Sequence, residues 1–427
     1  MPDAAAIRTQ LERIETYLTG TLLPFWLERS GDPQFGGFLT YFDRDGNKTD
    51  ETAKTFLMQI RMLYTMASAH RAGYGDGACA ELARAGAEFI ADHYWDAENE
   101  GWFWIADRTG EPIDRSKVGY GQVFGIYAMS EHFLATGDVD GLDYALRSYA
   151  AVCKHMADTR RGGFYELLEE DWQPMPGGRR GGDRKSLDVH MHLMEALTNL
   201  YEMTGHPTHR RRLEEVIDLI LTRMLHPEHR LGYIQFSLDF QPLEAILFET
   251  QWGRDAPPED GQARPLDYTS YGHNVEFLWL LLHAADVLGR PRETFAEVAR
   301  AICDHCVEYG IDHELGGVYV EGPMTGPSPL TEKQFWQHPE VMVGLLDATA
   351  MFGDERYWNG FVNVTDFVFE HLINFDAGGE WYERVSREGE MIDGDLGHGW
   401  KISYHTVRGI IQSVRRLNLL LAKAEEA

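Results

Sequence analysis

The chain has 427 residues, 44 % hydrophobic and 25 % charged, the balance of an ordinary globular protein. Its net charge of −29 gives a surface that repels nucleic acid and anionic membrane and suits a neutral or cationic ligand. There is no apolar run of about eighteen residues that would cross a membrane, and Met1-Pro2-Asp3-Ala4 does not open a signal peptide, so a cytoplasmic protein is expected.

A helical pattern covers 5–29, and eleven more follow in chain order at 52–72, 78–94, 117–137, 140–157, 187–205, 207–225, 270–288, 291–309, 334–353, 354–371 and 402–424. In each, apolar residues recur at i, i+3, i+4 and i+7. Gly73, Gly137, Gly205 and Gly289 fall where C-cap glycines belong. Between the pairs a short glycine motif recurs six times: Phe35-Gly36-Gly37-Phe38, Glu100-Gly101-Trp102-Phe103, Arg161-Gly162-Gly163-Phe164, Leu231-Gly232-Tyr233-Ile234, Leu315-Gly316-Gly317-Val318 and Ala377-Gly378-Gly379-Glu380. A repeat of this kind marks a closed or open array of one supersecondary unit. The first and last helices are single, and pairing them completes a sixth pair. The spacing therefore predicts an all-α (α/α)6 barrel of twelve helices with short hairpins in the loops, a single catalytic domain over 1–427. The irregular stretch 240–269, with Ala256-Pro257-Pro258, is expected to be a loop over one mouth.

In such a barrel the starts of the inner helices converge on one mouth. The pattern at 52–72 carries Lys54, Gln59 and Arg61; an Arg among apolar residues implies an oxygen-rich partner. The next start carries Tyr120, Gln122, Phe124 and Tyr127, either core or a sugar-stacking face. The third holds Asp188, four residues before His192 and on its helix face, while His190 points elsewhere. Helical geometry thus splits the His-x-His pair, and no metal or cofactor is expected. The fourth holds His273 three residues before Glu276, an imidazole and a carboxylate on one face. The fifth holds Phe335, Trp336, His338 and Glu340, and the last holds Trp381 and Trp400 ahead of His405. His192, His273 and His405, far apart in sequence, should meet.

Two other motifs read as structure. Cys303-Asp304-His305-Cys306 lies inside an apolar helical pattern and is expected in the core; the four cysteines are too scattered for a disulfide framework. Asp43-Arg44-Asp45-Gly46-Asn47 lacks the full ligand pattern of a calcium loop and reads as a hairpin turn.

Taken together, Gly36-Gly37-Phe38, Lys54 with Gln59 and Arg61, Tyr120 to Glu131, Asp188 to Glu195, Ser270 to Glu276, Trp336 to Glu340 and Trp400 to His405 resemble the N-acylglucosamine 2-epimerase superfamily. That superfamily includes cellobiose 2-epimerases, mannose 2-epimerases and aldose–ketose isomerases of the mannose isomerase type. The resemblance runs nearly end to end and implies an (α/α)6 barrel. It also implies an isomerase acting on neutral free sugars such as D-mannose and D-glucose, with D-fructose as a ketose product, through a cis-enediolate. By resemblance, His273 and His405 are the acid–base pair, Arg61 stabilises the enediolate oxygen, and His192 bonds O1/O2 or relays protons. Glu276 orients His273 or holds a hydroxyl, and Tyr120, Trp336, Trp381 and Trp400 offer sugar platforms, with Asp188 and Glu340 as further substrate contacts.

Two departures stand out. Asp188 replaces an Asn common in the family, which should raise the pKa of His192. Phe335-Trp336 replaces the Trp-Trp pair of cellobiose epimerases, which argues against a disaccharide subsite. There is no glycine-rich phosphate cradle for a nucleotide. Cellobiose-type and N-acylglucosamine epimerases are the alternatives within the family. From other classes, a glycoside hydrolase would draw on Asp188, Glu276 and Glu340, and a sugar-binding protein would turn nothing over. Monomer and homodimer are both open.

Overall fold

The structure, a computed structural model, describes residues 2–249 and 263–426. Helix α1 (Ala4–Tyr17) starts where the Asp3 carboxylate accepts the backbone N–H of Ala6 at 2.7 Å, and runs through a π-turn (Leu18–Leu22) into α2 (Leu23–Arg29). Then follow α3 (Phe56–Arg71), α4 (Ala78–Tyr94), α5 (Gly119–Thr136), α6 (Val139–Ala151), α7 (Leu187–Thr204) and α8 (Pro207–Arg223). Helices α9 (Tyr271–Leu288), α10 (Ala296–His305), α11 (Gln337–Phe352), α12 (Glu355–Phe367) and α13 (Tyr404–Glu426) complete the set. With α1 and α2 taken as one bent helix, these are the twelve that the periodicity predicts.

The odd-numbered helices from α3 to α13 form the inner ring. Each packs on the next, and α13 packs back on α3, so the ring closes. Helix α3 is buried from Phe56 to Ala69 without a polar face, as befits a helix surrounded by protein. The outer helices are amphipathic: α4 buries Cys79, Ala83, Ala87 and Ile90, one stripe at helical spacing. The first helix packs on α13 and completes the sixth pair, as the single ends of the pattern predict. Gly137, Gly205 and Gly289 cap their helices at φ 72°, 60° and 68°, a region that glycine enters without strain.

The loops carry small antiparallel sheets of two or three strands. They are tied to the inner helices by one device used repeatedly. The lysine just before an inner helix is buried against the aspartate that opens the preceding glycine turn. The pairs are Lys54–Asp32 (3.2 Å), Lys117–Asp96 (2.8 Å), Lys185–Asp158 (3.0 Å) and Lys333–Asp312 (3.4 Å). In the fourth repeat Thr269 takes the lysine's place and donates to the Gly232 carbonyl at 2.8 Å. A polar side chain in the first turn of α3, α5, α7 and α11 then grips the hairpin. Gln59 bonds both the N–H and the C=O of Phe38, Gln122 does the same to Trp102, and His190 and His338 accept from the N–H of Phe164 and Val318. Lys54 and Gln59 are thus structural rather than part of the reacting set; Lys54 lies on a strand ahead of α3, not on the helix.

Cys303 and Cys306 are buried free thiols, as the pattern predicts, and burial pushes Cys306 up to about 12. The Asp43 carboxylate accepts the N–H groups of Asp45 and Asn47 at 2.9 Å each, closing a hairpin turn. Of the predicted loop 240–269, residues 250–262 lie outside the described residues; on either side are the strands Pro242–Leu243 and Tyr268–Ser270. No helix among the described residues is long and apolar enough to cross a membrane.

Candidate active site

The inner helix starts do converge. Three of the predicted groups sit on consecutive members of the ring: Arg61 in α3, Tyr120 in α5, and Asp188 with His192 in α7. Arg61 is 2 % exposed and donates from Nη2 to the Tyr120 hydroxyl at 2.8 Å; its Nε has no hydrogen-bond partner within the protein. The guanidinium lies 4.6 Å from the Tyr404 ring centre, 4.7 Å from Phe124 and 5.2 Å from Trp400. It is a cation held in an aromatic box with a donor to spare, suited to an oxyanion.

His192 is bracketed by carboxylates. Its Nδ1 lies 2.9 Å from Oε2 of Glu195 and its Nε2 3.3 Å from Oδ1 of Asp188. Burial works against the imidazolium, but the two carboxylates outweigh it and raise His192 to about 9. This is the direction that the departure at Asp188 implies. The same Asp188 oxygen lies 3.7 Å from Nε2 of His273, whose side chain is 31 % exposed. Burial lowers His273, with Asp188 acting in opposition.

The His405 ring is buried, and its Nδ1 lies 2.8 Å from Oε1 of Glu340. Burial dominates even so, and holds His405 down to about 3 while Glu340 stays ionised. Trp336 links the two histidines: its ring centre is 4.5 Å from that of His273 and 5.6 Å from that of His405. Two imidazoles whose burial lowers their pKa thus flank one indole.

Four predicted roles change. Trp381 is fully buried and donates to the Tyr17 hydroxyl at 2.7 Å, so it packs the core and cannot stack on a ligand. Glu276 does not orient His273; it accepts from Arg408 in the barrel interior. Glu340 is fully buried, bonded by His405, by Arg408 at 2.7 Å and by Trp279 Nε1 at 2.9 Å, so these contacts lie within the barrel rather than at the mouth. Phe335 is also buried, with the Lys401 ammonium 4.7 Å from its ring, so its identity says little about a second sugar subsite. Two groups that the sequence reading passed over are Glu195 and Arg408. Both sit one turn beyond a predicted histidine, at i+3 of His192 and of His405, and that spacing is the signal that could have found them.

Ligand atoms of Glu276, Glu340 and His405 lie within 4.8 Å of one another, a metal-like grouping. The Arg408 guanidinium already occupies it, bonding both carboxylates, and a second cation there would face that charge. The same commitment leaves Glu276 and Glu340 unable to serve as a glycosidase acid and base. A cavity of about 830 Å³ lies at the far ends of the inner helices, around Arg71, Glu131, Glu202 and Trp279. There Arg71 is already satisfied by Glu131 (3.0 Å) and Glu202 (2.5 Å), and His192, His273 and His405 do not line the cavity.

Comparison with known proteins agrees. The N-acylglucosamine 2-epimerase family model matches residues 36–409. A cellobiose 2-epimerase from Bacteroides fragilis is 28 % identical over 408 residues, covering 94 % of this chain and 97 % of that one. The solved cellobiose 2-epimerase of Spirochaeta thermophila superposes with a TM-score of 0.84 at 27 % identity, over 98 % of each chain. A D-mannose isomerase shares the fold at TM-score 0.80 and 19 % identity, over 94 % of this chain and 97 % of that one. With its closed ring of helix pairs and its family match over most of its length, the chain belongs to the N-acylglucosamine 2-epimerase family of carbohydrate isomerases.

Proposed function

We propose that this protein interconverts C2 epimers of a neutral aldose, of the D-mannose/D-glucose type, by taking the C2 proton and returning it to the opposite face. The observation that carries this reading is the pair of neutral imidazoles, His273 and His405, both packed on Trp336.

The sugar ring first opens: the C1–O5 bond breaks, O5 gains a proton and the C1 hydroxyl loses one. One imidazole then takes the proton from C2, and the C2–H electrons move through C1–C2 to the carbonyl oxygen. Arg61 and the imidazolium of His192 stabilise the resulting cis-enediolate. The imidazolium formed by that proton transfer gives its proton to solvent, the other imidazole takes one up from solvent, and it then delivers that proton to C2 from the far side, so both rings end neutral. His405, held neutral by burial and oriented by Glu340, is placed to take the proton. His273, partly exposed, suits the group that exchanges protons with solvent. Return of the proton to C1 instead of C2 would yield the ketose, D-fructose.

A second reading, in which the aldose is the reducing end of a disaccharide, is favoured by similarity along nearly the whole chain to cellobiose 2-epimerases. Proton NMR of D-mannose, D-glucose, cellobiose and N-acetylmannosamine incubated with the protein in D2O tests both. Deuterium at C2 of mannose or glucose with appearance of the other epimer supports the first reading. Turnover of cellobiose alone moves the substrate to the disaccharide. No exchange in any of the four overturns the proposal for these sugars.

A further inference from the structure

The barrel interior holds an arrangement that the reaction above does not by itself require. Arg408, on the inner face of α13 and 1 % exposed, bonds three buried carboxylates. Its Nη1 donates to Oε1 of Glu195 at 2.6 Å. Its Nη2 donates to Oε1 of Glu340 at 2.7 Å and also to Oε1 of Glu276. These acids come from α7, α11 and α9, so one guanidinium joins four of the six inner helices. The Tyr404 hydroxyl, bonded by the same Nη1, lies 3.1 Å from the second oxygen of Glu195, and Trp279 holds the second oxygen of Glu340 at 2.9 Å.

We propose that Arg408 is a positioning residue for both His192 and His405. It fixes Glu195 against Nδ1 of the first and Glu340 against Nδ1 of the second, so that the two rings turn their Nε2 atoms toward the substrate as one unit. This rests on the reading of the reaction given above.

Three observations carry it. The two carboxylates that lie against Nδ1 of His192 and Nδ1 of His405 are both bonded by Arg408, one through each terminal nitrogen. A planar fork can serve two anions at fixed directions, which an ammonium cannot. And a buried cluster of this kind is a poor way to stabilise a fold: apolar residues of the same volume do as well or better, so its retention needs another reason. Burial and the Glu340 charge push Glu276 up to about 8, while the Arg408 guanidinium beside it acts in the opposite direction.

Two variants test this, Arg408→Lys and the double variant Arg408→Met with Glu276→Gln, which removes a carboxyl together with the cation. Thermal melting shows which are folded. For a folded variant the expectation is a fall in kcat of about 100-fold or more with KM within about threefold, the signature of lost transition-state geometry rather than lost binding. The alkaline limb of the pH profile moves, and nitrogen-15 NMR shows His405 losing its preference for the Nδ1–H tautomer. Folded variants with kcat within about threefold of the parent and unchanged tautomers overturn the proposal. So does failure of both variants to fold, which would assign Arg408 to the barrel alone. If the parent protein exchanges no sugar, the reading of the reaction fails, while the tautomer measurement still decides the role of Arg408.

Discussion

Oδ1 of Asp188 lies 3.3 Å from Nε2 of His192 and 3.7 Å from Nε2 of His273, so one carboxylate sits between two imidazoles of opposite protonation. His192 is raised to about 9 and His273 is lowered. The difference follows from company: His192 has Glu195 on its other nitrogen, and His273 has an indole face.

This gives a pH prediction with a definite sign. The His192 imidazolium exists below about 9 and is lost above it, so turnover that depends on it falls as pH rises through about 9. Asp188→Asn removes one of the two anions, and the alkaline limb of kcat/KM should move down by about one unit. A pH–rate profile of the variant checks it, and an unmoved limb would detach His192 from that limb.

Glu340→Gln keeps the size of the side chain but removes the anion from Nδ1 of His405 and from Arg408. Loss of the orienting carboxylate in other acid–base pairs is worth several orders of magnitude, and here kcat is expected to fall by about 100-fold or more. Steady-state kinetics of the folded variant, with KM compared, measures it.

Trp336 packs on both acid–base rings while its indole N–H is taken up by Gln334 at 3.0 Å. Its face is what remains for a sugar. Trp336→Ala should raise KM about fivefold, equivalent to ~1 kcal/mol of stacking, and Trp336→Phe should recover part of it. Equal KM values across the three proteins would remove Trp336 from the binding surface.

The lysine–aspartate pairs predict a stability effect separate from activity. Lys117 and Asp96 are both almost fully buried at 2.8 Å, so Lys117→Met leaves an unpaired buried carboxylate and should cost about 3–5 kcal/mol. Asp96 is held below its ordinary value despite its burial, through bonds from Lys117 and the turn N–H groups. Its contribution is therefore present above the unfolded carboxylate range and lost as pH falls toward the folded value. Chemical denaturation at neutral pH, with and without the substitution, measures the difference.

The helices were readable because the outer ones alternate apolar and polar faces with a period near 3.6 and the glycine turns recur once per helix pair. The histidines were readable because imidazoles at helix starts are conspicuous. Arg408 was not: within the amphipathic pattern of α13 a buried arginine looks like a surface one, and only its contacts across the barrel show otherwise. Trp381 failed for the opposite reason. An aromatic near a mouth looks like a platform until Tyr17, 364 residues away, is seen to take its N–H. The buried lysines recur 21 to 27 residues after their aspartates in four repeats, a regularity that the glycine count alone does not reveal.

The most direct test of the two-histidine account is deuterium exchange at C2 in His273→Ala and His405→Ala, starting separately from each epimer of the sugar that the parent turns over. If the two imidazoles serve opposite faces, neither variant epimerises, yet each still washes deuterium into C2 of one epimer, and the two variants choose different epimers. Exchange into both epimers by either variant, or epimerisation without solvent deuterium in the parent, would contradict it.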